Sequence, residues 1–79
     1  ISIFPNPNKG KFDLFIELQK TDNLICEIFN SSGKMVYSFS ENEIQRMEKS
    51  IEIDNLSSGL YNLVLKTTNA SFEEKFIVR

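Results

Sequence analysis

The sequence predicts an all-β domain, an antiparallel sandwich of about seven strands with Greek-key connections. Three observations carry this. Apolar residues recur with period two along almost the whole chain. Clusters of Pro, Gly, Asn, Asp and Ser break the alternation about every 8–12 residues, the spacing of short strands in a sandwich. The chain has 79 residues, enough for one small domain, so residues 1–79 are read as a single unit.

The elements follow in order. Ile1 and Ile3 alternate with Ser2 and Phe4 until Pro5 stops the first strand. Phe12, Leu14, Ile16 and Leu18 form the inner row of a second strand, and Thr21-Asp22-Asn23 reads as a turn. Leu24, Cys26 and Ile28 form the next inner row, with Ile25, Glu27 and Phe29 outside. Asn30-Ser31-Ser32-Gly33 reads as a hairpin loop in which Gly33 takes a positive φ. A strand follows from Lys34 to about Phe39. Residues 41–50 are polar and weakly patterned, and read as a crossover loop. Ile51 and Ile53 restart the alternation and Asp54-Asn55 ends it. Tyr61, Leu63 and Leu65 make another inner row, Thr68-Asn69 turns the chain, and Phe72, Phe76 and Val78 mark the last strand.

Composition narrows the function. Hydrophobic content is 41%, with seven Phe and no Trp, which suits a thin core and not a deep catalytic pocket. The net charge of −2 is mixed along the chain, so no basic stripe marks a nucleic-acid site. No run is long and apolar enough for membrane insertion. The chain opens on Ile1-Ser2-Ile3, without Met or a charged leader, and reads as a piece of a longer protein whose export signal lies upstream.

The single Cys26 cannot form an internal disulfide and falls in an apolar row, so it reads as core. With no His, the chain lacks His-based metal sites and His-activated nucleophiles. Glu73-Glu74, and Glu41 with Glu43, read as solvated faces, not as an acid–base pair. The three Gly sit in separate turns, so no phosphate-cradling loop exists. The expectation is a domain without enzyme activity, cofactor or metal.

Three phrases remain. In Phe4-Pro5-Asn6-Pro7-Asn8-Lys9-Gly10, each Pro fixes φ and removes a donor, Asn side chains bond nearby backbone, and Gly10 closes the turn. A stiff loop of this kind is cheap for a partner to recognise. In Leu56-Ser57-Ser58-Gly59-Leu60-Tyr61, the placement of Tyr61 at a strand start matches the tyrosine corner of Ig-like sandwiches, with its phenol reaching the backbone near Asn55 to Ser57. The last phrase, Phe72 to Arg79, is a terminal strand, a feature open to a partner.

Together these phrases resemble the type A C-terminal sorting domain of type IX (Por) secretion cargo over essentially all 79 residues. The matching positions are Phe4, Pro5, Asn6, Pro7 and Gly10; then Ile28, Phe29, Asn30, Gly33, Val36 and Tyr37; then Leu56, Ser57, Gly59 and Tyr61; then Lys75, Phe76, Ile77, Val78 and Arg79. The resemblance implies a seven-stranded Ig-like fold and a signal that carries an upstream cargo domain through the periplasm and across the outer membrane. It also implies recognition by the outer-membrane translocon, frequent removal by a sortase-like protease, and delivery to the surface of a Bacteroidota-type cell or beyond. Partner recognition is expected at Pro5, Asn6, Pro7, Gly10, Lys75, Phe76, Val78 and Arg79, and fold support at Gly33, Gly59 and Tyr61. The alternative is an Ig-like or fibronectin-like adhesion or carbohydrate-binding module, which predicts an aromatic platform of Phe15 with Phe29.

Overall fold

The structure is a computed structural model that describes residues Ile1–Arg79. All of its regular structure is antiparallel β: β1 (Ser2–Phe4), β2 (Lys11–Phe29), β3 (Met35–Glu52), β4 (Gly59–Lys66) and β5 (Ser71–Val78). They form one sheet of order β1-β2-β4-β5, with β3 paired along the other side of β2.

Five strands therefore stand where about seven were expected. The expected turn at Thr21-Asp22-Asn23 lies inside β2, and the expected crossover loop at residues 41–50 lies inside β3. The reason is where the turn-forming side chains go. The Asp22 carboxylate accepts hydrogen bonds from the Asn23 N–H at 2.7 Å, from the Thr68 hydroxyl and from the Thr68 N–H at 3.2 Å. Asn23 Oδ1 accepts the Glu43 N–H at 3.0 Å. These residues pin β2 to β3 and to the β4–β5 turn, and the chain continues extended. Register shifts between Glu17 and Leu24, and a left-handed Glu43 at φ 53°, let both long strands bend there.

The bends divide β2 between two sets of partners. Its first half pairs with β1 and with the last third of β3, for example Leu14 with Ile3 and Lys49. Its second half pairs with the start of β3 and with β4, for example Cys26 with Phe39 and Leu65. The sheet curls so that Phe12, Leu14, Ile16 and Ile51 face Leu24, Cys26, Ile28, Tyr61, Leu63, Leu65, Phe76 and Val78 across a single core. The inner rows predicted from period two are buried except at their ends, where Leu18, last in its row, is half-buried and Phe72, first in its row, is 44% exposed. Ile44 and Met47 lie in extended β3 and pack against the core edge.

Candidate functional site: a loop clasped on the terminal strand

β5 is the outermost strand of the path, and a bare edge there would expose a row of unpaired backbone groups. Its end, residues 77–79, is covered by the loop after β1. The Asn8 N–H donates to the Ile77 carbonyl at 3.0 Å, and the Arg79 N–H donates to the Asn8 carbonyl at 2.9 Å. Together these form a parallel bridge between Asn8 and Val78. Asn6 adds a third tie, its Oδ1 accepting the Ile77 N–H at 2.9 Å.

The loop holds its own shape through Asn8. Its Oδ1 accepts the Gly10 N–H at 2.8 Å and its Nδ2 donates to the Pro5 carbonyl at 3.0 Å. Asn8 is buried as a whole residue, 6% exposed. The peptide bonds before Pro5 and Pro7 are cis. Gly10 closes the loop at φ +94°, where its carbonyl accepts the Ile53 N–H at 2.8 Å. A Cβ there would lie 2.6 Å from the Ile53 carbonyl oxygen, so both conformation and space demand Gly. Pro5, Asn6 and Pro7 are exposed on the outside of the clasp.

β5 presents two faces. Phe76 and Val78, 1% and 2% exposed, point into the core. The Phe76 ring lies 4.9 Å from Phe12 and 5.7 Å from Tyr61 between centroids. Partner recognition was expected of both; in the folded domain their side chains are packed in the core, while Lys75, Ile77 and Arg79 face solvent. Gly10 is likewise buried, and its part is to shape the loop.

Gly33, Gly59 and Tyr61 lie in a hairpin loop and at the start of β4. The Tyr61 hydroxyl donates to the Ser57 carbonyl at 2.7 Å, completing a tyrosine corner, and Gly59 pairs with Val78 of β5. Gly33 takes φ +85° in the β2–β3 hairpin loop, where Asn30 Oδ1 accepts the Ser32 and Lys34 N–H groups. The sequence places Asn side chains against nearby backbone in this loop but does not single out Asn8 as a site residue. Its signal was the Asn-x-Gly spacing, which fits an Asn carbonyl accepting from the N–H two residues on; its parallel partner lies at the far end of the chain.

Other candidates do not converge. Phe15 pairs with Ser2 and Glu48 in one half of the sheet, and Phe29 with Met35 and Asn62 in the other, so they make no joint platform. Burial, and secondarily the charge of Glu27, pushes the Cys26 thiol up to about 12, so it stays protonated. No group of three His, Cys, Asp or Glu side chains comes together to hold a metal.

Residues 2–79 match the family model described as a secretion system C-terminal sorting domain. No curated protein matches the chain.

Proposed function

Because the chain belongs to the secretion system C-terminal sorting domain family, it is a sorting signal for type IX secretion, and we propose that the machinery reads it as a folded surface at the clasp. Membership implies interaction with that machinery and export of the attached protein to the cell surface or beyond. The observation that carries the proposal is the three-bond tie between Asn6-Pro7-Asn8 and Ile77–Arg79. It joins the two most distinctive phrases of the sequence into one exposed, pre-shaped feature, which a partner can bind at little ordering cost. The contact side chains are Pro5, Asn6, Pro7, Lys75 and Arg79, with Gly10, Phe76, Val78, Gly33, Gly59 and Tyr61 holding them in place.

The finer parts of the reading go together. The domain ends a longer secreted protein, follows its cargo through the periplasm, is gripped by the outer-membrane translocon, and is then cut off by a sortase-like protease. It works as a signal and not as a catalyst, a reading supported by the absence of His and by the protonated, buried Cys26. The Ig-like sandwich is supported by how the bent strands share partners: β1, early β2 and late β3 on one side; early β3, late β2, β4 and β5 on the other; and a parallel bridge from the first strand's loop to the last strand.

The test fuses the chain behind a reporter in a type IX-competent host and measures reporter outside the cell. The combined variant Pro5→Ala, Pro7→Ala, Arg79→Ala is expected to fall at least tenfold while the purified variant keeps a cooperative unfolding transition. Wild-type export from a folded triple variant overturns the clasp as the contact.

A further inference from the structure

The outer face of β2, β4 and β5 carries a feature that folding does not explain. On it Leu60 lies opposite Ile77, and Asn62 lies between Phe29 and Lys75. Leu60 and Ile77 are 47% and 43% exposed, and Met35, opposite Phe29, is 48% exposed. A concavity beside the hairpin loop is lined by Phe29, Ser31, Gly33, Leu60, Asn62 and Lys75. At this place the amide oxygen of Asn62 is buried without a hydrogen-bond partner. A buried acceptor left unsatisfied costs stability, and an apolar residue of similar size would fit the strand better.

The charges on this face are also unbalanced. The domain's ion pairs are Arg46–Glu17, Lys49–Glu41 and Lys66–Glu27, so Lys75 has no carboxylate partner. Lys34 and Arg79, exposed nearby, are unpaired as well. Glu73, on the same row of β5, lies one pair further along, opposite Val64, so it is the end of the face around Asn62 that is cationic, on a chain whose net charge is −2.

Resting on the sorting-signal reading, we propose that this face docks an acidic segment of the type IX machinery. A partner carboxylate pairs with Lys75, a partner N–H or O–H satisfies Asn62 Oδ1, and partner apolar side chains cover Leu60, Ile77 and Phe29. An unpaired lysine among exposed apolar side chains fits a carboxylate set in an apolar surround, the arrangement of an interface core in which a charge is matched and water excluded. Asn62 is then retained for binding at the expense of folding.

The experiment uses the reporter fusion together with the purified domain. Asn62→Leu is expected to raise Tm by about 4–8 °C, as removal of one orphaned polar group should in a domain of this size, and yet to lower export at least tenfold. Lys75→Glu and Lys75→Met are both expected to lower export at least tenfold with Tm unchanged, while Lys20→Glu, at the opposite end of the sheet, exports as wild type. If Asn62→Leu and Lys75→Glu export within twofold of wild type, the docking face is wrong. If Lys75→Met exports normally, the acidic character of the partner is wrong. If the wild-type fusion itself stays inside, the sorting reading fails first.

Discussion

Replacing Asn8 with Ala tests how the clasp is held. The side chain makes two hydrogen bonds, to the Gly10 N–H at 2.8 Å and the Pro5 carbonyl at 3.0 Å, and is 6% exposed. Each bond contributes about 1 kcal/mol net, and a buried N–H left without a partner adds about 1–3 kcal/mol. The expected loss is therefore about 3–5 kcal/mol, a large share of the roughly 5–15 kcal/mol that stabilises a typical domain. In a domain of this size that lowers Tm by about 12–40 °C. Urea unfolding followed by circular dichroism reads the midpoint, and hydrogen exchange reads the Arg79 amide, which loses protection if the loop detaches. Asn6→Ala serves as the internal comparison, since it removes a single exposed bond and is expected to cost about 1 kcal/mol or less. Equal, small effects of the two substitutions would refute the view that Asn8 organises the loop.

Further expectations concern the turns and the pH limits. Gly10→Ala must combine a left-handed φ with a 2.6 Å approach to the Ile53 carbonyl, and is expected to cost about 2–4 kcal/mol by denaturant titration. Gly33→Ala, with open space around it, is expected to cost about 1 kcal/mol; a larger effect than Gly10→Ala contradicts the geometry. Tyr61→Phe loses the 2.7 Å bond to the Ser57 carbonyl and is expected to cost about 1 kcal/mol, with no change in the folded spectrum. The hydrogen bonds from Thr68, then Asn23, lower the Asp22 carboxyl below 3.8. Its contribution is thus present above the unfolded value and is lost as pH falls through the folded one. The carboxyl resonance of Asp22 should titrate below 3.8, and Asp22→Asn should remove that part of the acid dependence. Cys26 gives the alkaline limit: its folded value of about 12 lies above the ordinary thiol value of 9.0, so stability falls as pH rises from about 9.

The inner rows were legible because a half-buried strand repeats every two residues, and Phe12-Leu14-Ile16, Leu24-Cys26-Ile28 and Tyr61-Leu63-Leu65 keep that period without interruption. The tyrosine corner was legible because its partner is four residues away. The long strands were not. Asp22 and Asn23 are turn formers by local preference, and only distant partners, Thr68 and Glu43, turn their side chains into cross-strand ties. Residues 41–50 hid a strand because β3 pairs only with β2 and leaves its other edge bare, so little of its pattern is imposed by burial. The phrases that form the clasp were each visible, but their joining was not, since Asn6 and Ile77 meet across 71 residues of sequence.

The central claim is that the signal works as a folded surface and not as a linear peptide. The direct measurement is reporter export across the stability series Tyr61→Phe, Gly10→Ala and Asn8→Ala, plotted against the fraction folded at the growth temperature. Export that falls in step with the folded fraction is the result predicted. Full export from a variant that is largely unfolded would contradict it.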